Sequence, residues 1–248
     1  MIAILVAVQQ ELKPILRRAD ANHLVRQAHF DFYEGTFAGQ PVALLALGVG
    51  KDCARIAAEK TIQCYRPDLI ICTGFGGALQ AAARPGDIVV GTEVVELLKD
   101  EGHQVTHRSV LTLPSVPDLP ESISGFRVHQ GKVLTTDEIV LRAATRQRLR
   151  QATGALVADM ETSAVALVCA ARGTRMMAIR SITDGAREDL PEQLNDFFML
   201  GQLQLRRIFS ACNRHPRVLF DLIRLGFRAQ LAGANLARYL QSALPRLG

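Results

Sequence analysis

The sequence predicts an α/β fold, a three-layer sandwich in which a central mixed β-sheet is flanked by helices. Three observations predict it. Apolar runs of strand length recur at residues 2–8, 68–72, 88–97, 155–158 and 176–179. Stretches of helical length and period lie between several of them, at about 11–18, 52–65, 138–151 and 162–171. An alternating segment at 29–36, the turn Ala38-Gly39-Gln40 and the run 41–47 read as an antiparallel hairpin.

The first run is followed by Gln9-Gln10-Glu11 and a helix, which places Glu11 where the helix dipole favours a carboxylate. After the hairpin, Gly48-Val49-Gly50-Lys51 opens the helix over 52–65. Such a loop can hold an anion or a sugar hydroxyl on its N–H groups, and it serves equally as a plain turn. The strand at 68–72 runs into Thr73-Gly74-Phe75-Gly76-Gly77-Ala78-Leu79, where the glycines imply close approach by a neighbouring element or a ligand. Pro85-Gly86-Asp87 turns into the strand at 88–97, and residues 99–125, with Pro114, Pro117 and Pro120, read as a loop. His103 and His107 stand four apart in that loop without further ligands, so no metal is expected. A strand over 126–134 ends in Thr135-Thr136-Asp137, and Asp137 suits the cap of a helix over 138–151. The strand 155–158, the helix 162–171 and the strand 176–179 read as a right-handed parallel unit, with both carboxyl-terminal ends at one sheet edge. A helix over 190–213 is interrupted by Asn213-Arg214-His215-Pro216, and a last helix covers 217–244.

The totals bound the class. A chain of 248 residues, 48% hydrophobic and 21% charged, has the balance of a globular domain. No apolar run approaches the roughly 20 residues needed to span a bilayer, and the opening strand has no basic segment ahead of it as a secretory signal would. Cys53, Cys64, Cys72, Cys169 and Cys212 form neither zinc pairs nor a disulfide framework, so a reduced, cytoplasmic setting is expected. The net charge is +5, but aromatic residues are only 5% and no recognition motif is visible, which argues against nucleic acid as a partner.

Two motifs carry chemistry: Asp159-Met160-Glu161, and Ser181-Ile182-Thr183-Asp184 about twenty residues later. Each sets a carboxylate at the end of an apolar run. With the glycine segment they resemble the nucleoside phosphorylase and nucleosidase superfamily, nearest its methylthioadenosine/S-adenosylhomocysteine nucleosidase branch, over roughly the first 200 residues. The resemblance implies cleavage of the N-glycosidic bond of a purine nucleoside without a cofactor. Glu11 would activate water, Asp184 would protonate the purine, and Glu161 would hold the ribose hydroxyls. Met160 would pack on the ribose, with Asp159 a further member of that loop. Gly74, Phe75 and Gly76 would lie beside the ribose and nucleophile, Gly50 on the sugar side, and Ile139 and Val140 along the purine. Phe75 stands where many members carry a small hydroxyl residue, and Cys72 where phosphorylases commonly have an arginine. Both departures favour water over phosphate, although Lys51 or Arg55 could still serve phosphate as a co-substrate. Sharing of active-site loops in related enzymes implies a homo-oligomer. A noncatalytic nucleoside-binding or assembly module would need no such set of acids.

Residues 1–213 form the expected catalytic domain, and 214–248 a basic, amphipathic helical extension of it with no linker between. Arg217, Arg224, Arg228, Arg238 and Arg246 cluster on one side of the last helix, with abundant apolar surface elsewhere. That helix can pack on its own domain, on a partner subunit, or on an anionic membrane surface as a peripheral contact. It is similar to the extension of the hopanoid-associated phosphorylase branch, which implies an adenosyl-linked lipid as one alternative substrate.

Overall fold

Five apolar residues with no polar member form β1 (Ile2–Val6), buried along its whole length in a computed structural model that describes residues 1–27, 29–99, 105–114, 119–192, 194 and 216–247. The chain continues through α1 (Gln9–Leu16), β2 (Asp20–Gln27), β3 (Phe30–Phe37), β4 (Gln40–Ala46) and α2 (Lys51–Tyr65). Next come β5 (Leu69–Ala78), β6 (Ile88–Lys99), β7 (Val105–Thr112), β8 (Ser122–Ile123) and β9 (Phe126–Thr135). Then α3 (Ala143–Thr153), β10 (Val157–Asp159), α4 (Thr162–Arg172), β11 (Arg175–Asp184) and α5 (Pro216–Ala243) follow.

Side chains that alternate along a strand feed two cores, and that produces the layers. Ala3 and Leu5 of β1 join a core roofed by Ala54, Ala57 and Ala58 of α2 and Val165 and Cys169 of α4. Ile2, Ile4 and Val6 point the other way, to Leu12 and Ile15 of α1 and Leu236, Tyr239 and Leu240 of α5. The sheet between them is mixed. β1, β4, β5 and β11 run parallel, while β6 lies antiparallel to β11 and parallel to β9.

Strand β5 organises the site because it changes neighbours along its length. Its first half lies between β1 and β11, and its glycine-rich second half pairs β11 and, antiparallel, β10. Since β10 pairs β9, β9 pairs β6 and β6 pairs β11, that contact closes five strands into a ring. The chain thus forms the expected mixed sheet flanked by helices, with one end curled shut.

Several local expectations are corrected. The strand expected over 68–72 continues through residues 73–78 as β5, whose glycines let β10 and Arg180 approach its backbone. Strands β10 and β11 do not form a parallel crossover: β10 is parallel to β9 and β6, and β6 is antiparallel to β11. The segment read as a loop holds the end of β6, the edge strand β7 and the short β8, and β2 had no reading at all. Edge strands are exposed on both faces, as β7 is along 106–109, so the alternation that marks a half-buried strand is lost. Helix α3 starts at Ala143 rather than at 138, and Asp137 pairs Lys51 at 2.5 Å instead of capping it. The helix expected over 190–213 falls almost entirely outside the described residues.

From Ala232 onward α5 belongs to the second core, with Leu236, Tyr239 and Leu240 fully buried. Earlier on the helix Ile223, Phe227 and Leu231 are exposed. Among the described residues no helix is long and apolar enough to cross a membrane.

Candidate active site

Glu11 stands in the first turn of α1 with its carboxylate turned back over the end of β1. Oε2 accepts the amides of Ala7 at 2.7 Å and Val8 at 3.0 Å, and Oε1 accepts the amide of Phe75 on β5 at 2.7 Å. The side chain therefore caps its helix and also crosses to the glycine strand. Burial raises its pKa, against the opposing pull of those amides and of Arg180. At Gly74 (φ +148°) a Cβ would lie 2.7 Å from Glu11 Oε1 and 2.8 Å from Arg180 Nη1. Glycine is needed there so that the carboxylate and guanidinium can reach the strand.

Glu161 occupies the cap position of α4, where its Oε1 accepts the Gly50 amide at 2.8 Å. The loop before α2 thereby closes onto the second acid. Burial first, then the neighbouring charge of Asp159, push the Glu161 carboxyl up to about 8. Asp159 is turned inward. Its carboxylate accepts Thr135 Oγ1 at 2.8 Å and the Thr162 amide at 3.1 Å, and pairs with Arg180 Nη2 at 2.5 Å. It holds the loop and the guanidinium and also lines the cavity described below. Arg180 also donates to Thr162 Oγ1 at 2.6 Å and to Cys72 Sγ at 3.1 Å. Burial works against its charge, but Asp159, Cys72, Glu161 and Glu11 outweigh it and shift its pKa upward.

Asp184 ends β11 and is buried. Its Oδ1 accepts Thr183 Oγ1 at 2.6 Å, and its Oδ2 forms an ion pair with Arg146 of α3.

Glu11, Asp159, Glu161, Asp184 and Arg146 line one cavity of about 280 Å³, together with Phe75, Gly76, Ile139, Val140 and Met160. Gly50 and Gly74 stay behind the wall and act through Glu161 and Glu11. Lys51 pairs Glu96 and Asp137, and Arg55 pairs Glu59. The far side of the cavity is apolar, built from Leu190, Leu194, Leu225 and Ala229. Sequence reasoning missed Arg146, Arg180 and this apolar wall. A guanidinium inside the apolar run of β11 was a legible sign of buried ion pairing; Arg146 sat unremarked among Arg142, Arg148 and Arg150 on a polar helix. Among the described residues no cluster suited to a metal ion is found, and His103 lies outside them.

The model of the phosphorylase superfamily matches residues 1–212. The chain belongs to that superfamily. Its similar members include the 5′-methylthioadenosine/S-adenosylhomocysteine nucleosidase of Exiguobacterium sp. (strain AT1b), 25% identical over 226 residues that cover 86% of this chain and 97% of the relative. The enzyme of the same description from Shewanella oneidensis is 27% identical over 212 residues, covering 80% and 89%. Among solved structures of the superfamily, the Colwellia psychrerythraea nucleosidase in complex with adenine superposes with a TM-score of 0.75 at 20% identity, covering 99% of this chain and 95% of that one. Futalosine hydrolase of Helicobacter pylori does so with the same TM-score at 17% identity, covering 98% and 97%.

Proposed function

We propose that this superfamily member hydrolyses the N-glycosidic bond of an adenosine-type nucleoside and releases the purine. One observation carries the reading: Glu11, Glu161 and Asp184, from three distant parts of the chain, line a single cavity. The neighbourhood of Gly74 places Glu11 at one end of the β5 glycine segment, and that of Gly77 places Asp184 at the other. Three strand steps separate them, roughly 10 Å, a span that accommodates a nucleoside between a nucleophile and its leaving base. The nucleosidase names of the relatives agree with this chemistry.

Bond cleavage leaves positive charge on the sugar and negative charge on the base. Glu11, whose carboxyl pKa is raised by burial, takes a proton from a water positioned near Gly74 as that water bonds C1′. Glu161 meets the ribose hydroxyls from the α4 cap, and Met160 packs beside the ring. Asp184 meets the base next to Ile139 and Val140. Water suits this site better than phosphate. Arg146, the guanidinium that lines the cavity, is already in an ion pair with Asp184, and Arg180 behind it is paired with Asp159. An incoming phosphate dianion would find, among the described residues that line the cavity, no cation outside an ion pair to offset its charge.

The apolar wall favours a second, finer reading, in which the 5′ substituent is apolar and as large as an adenosyl lipid of the hopanoid-associated kind. Both readings are tested by measuring adenine release from 5′-methylthioadenosine, S-adenosylhomocysteine, inosine and a 5′-alkyl adenosine series, with and without phosphate. Phosphate-independent release is expected, with kcat/KM rising along the alkyl series. Strict phosphate dependence would replace hydrolysis by phosphorolysis, and a preference for the charged amino-acid tail would remove the apolar substituent.

A further inference from the structure

Arg146 and Arg180 head the fully buried side chains by size. A buried guanidinium needs partners for its five N–H donors. Asp159, Thr162 and Cys72 account for Arg180 Nη2. Arg146 is differently arranged. Its Nε donates to Val140 O at 2.9 Å, and Nη1 serves both the Asp184 carboxylate and Gly185 O, the latter at 3.1 Å. No acceptor for Nη2 is found among the described residues, although Arg146 lines the cavity.

Gly77, which also lines the cavity, borders the same guanidinium. A Cβ there would sit 2.9 Å from Asp184 Oδ2, 3.4 Å from Arg146 Nη1 and 3.6 Å from Nη2. Since Gly77, Asp184 and Arg146 line the cavity with Ile139 and Val140, an acceptor oxygen and a guanidinium stand together at its wall. A 6-aminopurine offers the complementary pair: an amino group that donates, and ring nitrogens that collect charge as the bond to C1′ breaks.

We propose that Arg146 is a catalytic residue that acts on the departing base as a couple with Asp184. Asp184 accepts from the exocyclic amine, and Nη2 of Arg146 donates to the ring nitrogen that gains charge. The inference rests on the nucleosidase reading and deepens it. In this step the C1′–N9 bond breaks and its electron pair passes to the purine. The water oxygen bonds C1′ and gives one proton to Glu11, which returns it to solvent. The purine takes a proton from solvent, so one water is consumed and Arg146 keeps its charge throughout.

The test compares the wild type with Arg146→Gln and Arg146→Lys on 5′-methylthioadenosine and on its 2-fluoroadenine analogue, whose base leaves more readily. Removing a preorganised donor to developing negative charge costs about 10²–10³ in kcat. Arg146→Gln is expected to lose that much on the parent substrate and about tenfold less on the fluorinated one. Arg146→Lys, which keeps the charge but not the planar fork, should fall between. Circular dichroism checks folding, and if the Gln variant is unfolded the Lys variant decides by the same comparison. Equal losses on both substrates, or no loss, would overturn the couple. Failure of the wild type to release either base would sink the nucleosidase reading itself.

Discussion

Glu161 carries a measurable cost at its buried position. Its carboxyl is raised from an ordinary 4.5 to about 8, chiefly by burial and then by Asp159. The folded state therefore holds a proton that the unfolded chain gives up across that interval. The stabilisation is complete below about 4.5 and is lost as pH rises through about 8, with a slope of at most ~1.4 kcal/mol per pH unit. Melting temperatures of the ligand-free protein should fall between pH 5 and 8, and Glu161→Gln should flatten that fall. Parallel curves for the two proteins would mean that the carboxyl is not held neutral. At Gly74 the physics is steric: alanine would place a Cβ in contact with both Glu11 and Arg180. Gly74→Ala should lower kcat by at least tenfold while the fold, followed by circular dichroism, is kept.

Among the elements, α5 has two parts with different duties. Its second half is core, and Leu240→Ala deletes a fully buried side chain between α5 and the sheet. A loss of about 2–5 kcal/mol in urea unfolding is expected. Its first half supplies Leu225 and Ala229 to the cavity and anchors Glu188 through Arg228. The sequence revealed α5, α2, α4 and the central strands because their apolar runs are long and unmixed. It hid β2 and β7 because edge strands lose their alternation. Glu11, Glu161 and Asp184 were legible as acids at the ends of apolar runs. The Arg146–Asp184 pair was not, because no local pattern links a polar helix to the end of a strand 38 residues away.

At the scale of the molecule, closure of five strands through the β5–β10 contact replaces the crossover geometry expected from sequence. The carboxylates still converge, since the glycines of β5 let α1, α4 and β11 approach one backbone from several sides. What such an arrangement predicts is attack by water on a nucleoside held between Glu11 and Asp184. The most direct measurement supplies 5′-methylthioadenosine in phosphate-free H₂¹⁸O and follows free adenine and the label at C1′ of the released sugar. The wild type should release adenine with one ¹⁸O per sugar, and Glu11→Gln should slow release by about 10²–10⁴-fold. Release at an unchanged rate in Glu11→Gln, or a sugar without the label, would contradict the account.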